Sequence, residues 1–127
     1  MGEVIRRFLI YVTRDVEGRA SYPRSAKLCN SSGEAVRAKL RYAGPFTKTG
    51  LEGYVEYIAL VLSNGASASN AKPEGEPFDL GPGECVDVGV EYVVSKRLKE
   101  ELDFVKLKLI NDGRLNIGGF QFDVVKA

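Results

Sequence analysis

Apolar and polar residues alternate with a period of two over much of this 127-residue sequence, as they do in β-strands buried on one face. The clearest run spans residues 36–42 and puts three cations on one face: Arg37, Lys39 and Arg41. The opposite face is apolar: Val36, Ala38, Leu40 and Tyr42. Ser31 and Glu34, just before this run, also fit a helical capping box. The alternation within a β-rich chain favours the strand.

Six other segments have the composition or alternation of strands: residues 4–13, 25–30, 53–63, 84–94, 104–110 and 116–125. Residues 4–13, past Arg7, and residues 53–63 are apolar on both faces, so we expect central or well-covered strands there. Pro23 excludes a central strand around it and indicates a turn or an edge. The pattern predicts an all-β fold, an antiparallel two-sheet sandwich of about seven strands that forms one domain over residues 1–127.

The connections are mostly short turns, with two exceptions. Residues 111–113, for example, predict a hairpin turn. The first exception is residues 95–102, which predict a short helix that begins at a Ser95 cap. The second exception is the segment before the predicted strand at residues 84–94. Residues 64–83 form a long irregular stretch whose only apolar anchors are Phe78 and Leu80. Loops of this length are usually mobile or functional, and we expect the same here.

Two segments carry a resemblance to a known fold family. The segment SAKLCNSSGEAVRAKLRY resembles the strand, Asn-rich turn and strand of immunoglobulin-like and fibronectin-like sandwiches. The segment FDLGPGECVDVGVEYVV resembles the turn that precedes a Val-rich strand in such domains, with Leu80, Pro82, Gly83 and Glu84 in the turn positions. The resemblance implies a fold and no particular function, because such sandwiches host many roles.

The two cysteines, Cys29 and Cys85, both fall on the polar side of their strands. This parity, together with the absence of tryptophan, disfavours the buried inter-sheet disulfide of antibody domains. Free thiols are the expectation, and a surface disulfide is the alternative.

Charge is unevenly distributed along the chain although the net charge is only +1. Residues 1–48 hold ten Lys and Arg against four Asp and Glu, whereas residues 49–95 hold one Lys against eight acids. Such segregation would steer a partner or favour self-association. If strands from the two segments interleave in the fold, the field averages out instead.

The residue types exclude most catalytic machinery. The chain has no histidine, which removes Ser-His and Cys-His nucleophiles, His-ligated zinc and the commonest general base. Four acids in or beside the long loop are the only candidate ligands for a hard cation, Glu74, Glu76, Asp79 and Glu84, but their spacing matches no calcium motif. Gly118 and Gly119 fit turn or bulge positions. We therefore expect no enzyme activity, no metal site and no cofactor.

The leading functional prediction is a non-catalytic protein-interaction or structural module, an accessory subunit of a larger assembly. Its partner would be another protein or a second copy, and a filament or cytoskeletal system of a thermophilic microbe is one setting. Scarcity of His, Met and Trp hints at the thermophilic source. The predicted contact surfaces are the basic row (Arg37, Lys39 and Arg41) and Phe78. No apolar run has the length of a membrane span and no signal peptide is evident, so the prediction is a cytoplasmic protein without membrane contact.

The alternative is a ligand-binding module. Single-stranded nucleic acid would use the basic row on an OB-like barrel, with three aromatic residues as stacking surfaces: Tyr22, Tyr42 and Phe46. Carbohydrate would use three tyrosines as platforms if they are exposed: Tyr11, Tyr54 and Tyr57.

Overall fold

The computed structural model describes residues 4–13, 19–97 and 116–127. Within these ranges the chain forms eight strands in two antiparallel sheets. The strands are β1 (Val4–Thr13), β2 (Arg19–Cys29), β3 (Val36–Pro45), β4 (Val55–Leu62), β5 (Ser67–Ser69), β6 (Phe78–Leu80), β7 (Cys85–Val94) and β8 (Asn116–Lys126). A 3-10 turn, Glu52–Tyr54, precedes β4. The predicted all-β, two-sheet sandwich is confirmed.

The strand order is that of a jelly roll. Sheet I has the order β1-β8-β3-β6, and sheet II has the order β2-β7-β4-β5. The pairs β1–β8, β2–β7, β3–β6 and β4–β5 are nested, as if one long hairpin were wound into two sheets. Immunoglobulin-like sandwiches instead pair their first two strands within one sheet. The resemblance to that family therefore does not extend to the strand order.

Both sheets contribute to a shared apolar core. The least exposed of the large side chains come from five strands: Val12, Leu40, Ile58, Leu60, Val88 and Phe122. Residues 36–42 form a strand and not a helix, and they keep the predicted parity, with Ala38 and Leu40 buried. The same holds for β7, whose even-numbered residues face the core. The alternation favours a strand here because one face of each sheet packs on the core, so every second side chain is buried.

The segment over residues 64–83 is more ordered than the sequence predicts. It contains β5 and β6, and the stretch between them also pairs with β3: the Tyr42 amide donates to the Pro73 carbonyl at 2.8 Å, and the Gly75 amide donates to the Leu40 carbonyl at 2.8 Å. A side chain at Gly75 would overlap the Ser67 carbonyl, so only glycine fits. The expectation of one long loop is wrong, because backbone pairing holds a sequence that has few apolar anchors.

Two other sequence predictions fall largely outside the described residues. Of the predicted helix at residues 95–102, only residues 95–97 are described. The chain turns at Lys96 and Arg97 is helical, with the Arg97 amide donating to the Ser95 hydroxyl at 3.2 Å. The predicted strand at residues 104–110 and the hairpin turn at residues 111–113 lie wholly outside.

The sheet edges differ in how they are protected. Pro23 lies in β2, an edge strand, where the pairing with β7 loses register between Tyr22 and Ala26. This confirms the prediction that Pro23 marks a turn or an edge. β5 and β6 are edge strands of three residues each. Among the described strands β1 also lies at an edge, and Leu9 and Tyr11 are exposed on its outer face. Within the described part of the chain, residues 4–13 are therefore neither central nor well covered, contrary to the expectation.

Asn30 joins the two turns that carried the family resemblance. Its side-chain amide donates to the carbonyls of Glu34 at 2.7 Å, Leu80 at 2.9 Å and Gly81 at 3.1 Å. Its side-chain oxygen accepts from the Ser32 amide at 3.0 Å and from the Ser32 hydroxyl at 2.6 Å. Asn30 is only 7% exposed, so these bonds are what satisfies its buried amide.

Cys29 and Cys85 form a disulfide, so the expectation of free thiols is wrong. The two residues lie directly opposite each other in the β2–β7 pairing, and both are exposed. Their predicted parity is correct, because both lie on the outer face of sheet II. The bond present is the surface disulfide that the sequence left as the alternative.

Candidate interaction surface

The basic row lies on the outer face of sheet I, and each of its cations is paired with an acid. Arg37 lies 3.5 Å from the Asp79 carboxylate, while Lys39 and Arg41 lie 3.1 Å and 2.9 Å from the two Glu74 oxygens. The acids reach the row because β6 and the bridge between Arg41 and Glu74 lie beside β3.

Glu74 is the centre of this pairing. The hydrogen bond from Lys39 is the largest influence on the Glu74 carboxyl group, and desolvation, which opposes ionisation, comes second. The hydrogen bond from Arg41 and the charges of both cations add to the effect of Lys39, so the pKa of Glu74 is lowered. The basic row of residues 1–48 thus lies against acids of residues 49–95. Interleaving of the two charged segments therefore offsets two of the three positive charges in the row that the sequence marked as a contact surface.

Phe78 is half-buried. It pairs with Ala38 in the β3–β6 ladder and packs against the apolar core, so only part of its ring faces solvent. Phe78 and the basic row share one edge of sheet I. They do not form an open apolar surface.

Among the described residues, most of the exposed large apolar side chains lie on β1, at the opposite edge of sheet I. Leu9 is 47% exposed and Tyr11 is 57% exposed, and Phe46 beside them is 39% exposed. The rings of Tyr11 and Phe46 meet edge to face with centroids 5.4 Å apart. We name these three residues the β1 patch. Val4 and Ile5, at the start of the same strand, are also exposed.

The β1 patch is built on Gly119 of β8. Gly119 lies opposite Tyr11 in the ladder, and the Phe46 ring lies where a side chain at Gly119 would be. The Phe46 amide donates to the Gly119 carbonyl at 3.0 Å, and the Gly119 amide donates to the Thr47 hydroxyl oxygen at 2.8 Å. Gly119 was predicted as a turn or bulge glycine. In the structure it lies within a strand and makes room for an aromatic ring.

Glu52 fixes the loop that carries Phe46. Its carboxylate accepts hydrogen bonds from the Thr47 hydroxyl at 2.6 Å, the Thr49 amide at 2.9 Å and the Gly50 amide at 3.0 Å. Desolvation opposes ionisation of Glu52, but the hydrogen bonds outweigh it and lower its pKa from 4.5 to about 2. The loop is therefore held by an ionised carboxylate at neutral pH.

The other aromatic candidates do not gather into one surface. Tyr22 lies on β2 with its ring centroid 6.1 Å from that of Tyr92, and Tyr42 is half-buried on Phe122 at 5.1 Å. Burial raises the pKa of Tyr42. Tyr54 lies in the 3-10 turn with the Arg97 guanidinium 5.8 Å from its ring centroid, and Tyr57 lies on β4 in the other sheet from Tyr11. Only Tyr11 and Phe46 combine exposure with mutual contact.

The candidate cation ligands are dispersed. Glu74 and Asp79 bind the basic row, Glu76 lies 3.3 Å from Lys72, and Glu84 accepts from the Gly81 amide at 2.8 Å. Across residues 4–13, 19–97 and 116–127, no three metal-ligating side chains converge.

Comparison of the sequence with protein-family models and with curated proteins finds no match. Among the described residues, no helix has the length and apolar character needed to cross a bilayer.

Tyr11 and Phe46 were separate aromatic candidates in the sequence, but neither Leu9 nor the combination of the three residues on one surface was predicted, although a signal was present. Residues 8–12 read FLIYV, with apolar side chains on both faces. Such a strand needs cover on both faces, and in the structure its outer face lies open at Leu9 and Tyr11.

Proposed function

We propose that this protein is a non-catalytic interaction module that binds another protein chain through the β1 patch. The observation that carries the proposal is the concentration of exposed large apolar side chains on one edge strand: Val4, Ile5, Leu9 and Tyr11. Clustered apolar exposure rimmed by polar groups is typical of protein-binding surfaces. Aromatic residues in well-packed positions dominate such interfaces, and Tyr11 with Phe46 is a pair of this kind.

The proposal moves the contact surface from the basic row to the opposite edge of the same sheet. In this proposal the basic row forms ion pairs on the outer face of β3 and does not bind the partner, because each of its cations already contacts a carboxylate of the same chain. Exposed ion pairs of this kind also discourage a sheet from pairing at the wrong place. The role as an accessory subunit of a larger assembly stays part of the proposal, and a filament setting stays a prediction.

The disulfide bears on where the module works. Surface disulfides persist in oxidising compartments and in the cytoplasm of some hyperthermophiles. The Cys29–Cys85 bond is therefore compatible with the cytoplasmic prediction if the source is thermophilic, and otherwise it favours an oxidising compartment.

The test is affinity capture followed by reconstitution. The chain is immobilised as wild type, as Tyr11→Lys and as Ser67→Lys, the last being an exposed substitution on β5 of the other sheet. A captured protein is purified and its dissociation constant is measured against each variant. We expect Tyr11→Lys to weaken binding by about tenfold or more and Ser67→Lys to leave it unchanged. Equal affinities for the two variants would refute the β1 patch as the binding surface.

The ligand-binding alternative rests on the exposure of Tyr11 beside Phe46, which would suit stacking on a base or a sugar ring. Ion pairing within the basic row weighs against nucleic acid, because phosphate binding needs free cations. A thermal-shift screen against oligonucleotides and sugars separates the two proposals. Stabilisation that Tyr11→Lys removes would favour the alternative.

A further inference from the structure

β1 is the one long edge strand of the described sheets that keeps an unbroken register along its middle. The edge strands β5 and β6 have three residues each, and β2 is interrupted at Pro23. These are the devices that keep sheet edges from pairing with other chains. β1 has no proline, and its central residues are apolar on both faces.

The register of β1 defines where a second strand would pair with it. β1 shifts register against β8 between Val4 and Arg6 and again between Val12 and Thr13. The regular stretch is therefore Arg6 to Val12, and its midpoint is Leu9. An antiparallel copy of the same stretch gains the largest overlap when Leu9 lies opposite Leu9 of the second copy.

We propose that two copies of this chain join edge to edge through β1, antiparallel about a two-fold axis at Leu9. The inference rests on the proposed function, since it names a second copy as the protein partner. Antiparallel pairing about Leu9 continues sheet I of one copy into sheet I of the other, giving a sheet of about eight strands. The contact is isologous, so it closes at two copies and does not extend into a filament.

The side chains complement each other in this register. On the outer face Leu9 meets Leu9 of the second copy, and Arg7 lies opposite Tyr11 of the second copy. An arginine over an aromatic ring is attractive, and Arg7 is already oriented by Asp123, whose carboxylate lies 3.0 Å from its guanidinium. On the inner face Phe8 lies opposite Ile10 of the second copy. A shift of the axis by one residue, to Phe8 or Ile10, separates Arg7 from Tyr11 and shortens the regular overlap.

Cysteine cross-linking tests the register with the native disulfide left in place. Leu9→Cys should form a covalent dimer on mild oxidation, because directly opposed residues lie about 4.5–5.5 Å apart. Arg7→Cys alone should not, because two copies of position 7 would be about 13 Å apart along the strands. A mixture of Arg7→Cys and Tyr11→Cys should cross-link into the mixed dimer.

Sedimentation equilibrium tests the association itself. The wild-type chain should sediment at twice the mass of one chain at high concentration. Leu9→Glu should raise the dimer dissociation constant at least about tenfold. At concentrations low enough for both chains to be monomeric its melting temperature should equal that of the wild type, because Leu9 is half exposed in one copy. Mixing Leu9→Glu with Leu9→Lys should restore the dimer.

Three results would overturn the inference. They are a monomer up to about 1 mM, a dimer that cross-links at Arg7→Cys alone and not at Leu9→Cys, and an intramolecular disulfide between Leu9→Cys and a second cysteine introduced within residues 98–115. A monomer that still binds a different purified protein through Tyr11 would overturn this inference and keep the proposed function. A monomer without any such partner would overturn both.

Discussion

Replacement of Asn30 by alanine tests whether one buried amide holds the two turns of the sandwich together. Asn30 follows Cys29 at the end of β2, and its side chain reaches the turn between β6 and β7. Alanine leaves the backbone bonds of residue 30 intact, among them the bond from its amide to the Glu84 carbonyl at 2.9 Å. The substitution therefore removes the side-chain network alone.

The expected cost follows from which partners become unpaired. The Leu80 carbonyl is the buried acceptor, and an unpaired buried carbonyl costs about 1–3 kcal/mol. The bonds to Glu34, Gly81 and Ser32 are partly accessible, so water replaces much of each and the loss is about 0.5 kcal/mol apiece. We expect the free energy of unfolding to fall by about 3 kcal/mol, and the melting temperature by about 10 °C.

Urea denaturation, followed by circular dichroism under oxidising conditions, measures this change. The matched control is Asn64→Ala, because Asn64 is exposed and accepts one hydrogen bond, from the Ala66 amide at 3.0 Å. Asn30→Asp should be at least as damaging as Asn30→Ala at neutral pH, since its carboxylate would face carbonyl oxygens. The reasoning fails if Asn30→Ala costs no more than Asn64→Ala, or if Asn30→Asp matches the wild type.

Three further predictions concern the disulfide, the loop carboxylate and the glycine under the patch. Reduction of the Cys29–Cys85 bond, which spans a sequence separation of 56, should lower the free energy of unfolding by about 4 kcal/mol; equal urea midpoints with and without reductant would contradict this. The pKa of Glu52 is lowered to about 2 from 4.5 in the fold, so its ionised form stabilises the protein fully above pH 4.5 and this contribution is lost as pH falls towards 2. Stability measured across that window should fall less steeply in Glu52→Gln, and parallel curves would rule out the assignment. Gly119→Ala should displace the Phe46 ring and change the near-ultraviolet circular dichroism spectrum. Gly33→Ala, which has open space around it, should leave the spectrum unchanged. A Gly119→Ala spectrum that matches the wild type would show that the ring is not held against Gly119.

The sequence was a good guide to which way side chains point. The parity of β3 and β7 follows from alternation alone, because a strand buried on one face has only two possible orientations. Ala38 and Leu40 are buried and Arg37 is exposed, as predicted. The parity of Cys29 and Cys85 was equally readable.

The register of strand pairing and the identity of neighbouring strands could not be predicted from one sequence. The disulfide depends on Cys29 lying opposite Cys85, and the ion pairs of Lys39 and Arg41 depend on Glu74 lying beside Arg41. Both are pairings between distant segments, which no local pattern specifies. The edge position of β1 was missed for the same reason, since an apolar strand is normally central and only the topology places this one outside.

The nested pairing of the strands limits the order in which the strand pairs can form during synthesis. β4 and β5 are neighbours in sequence, whereas β1 and β8 are about 100 residues apart. During synthesis β1 therefore emerges long before β8 does, and until then its apolar residues lack the strand with which they pair. Such a segment is prone to aggregate until it is paired. Chains truncated ahead of β8 should accordingly require a chaperone to stay in solution, and the strand responsible would be the one that carries the proposed contact surface.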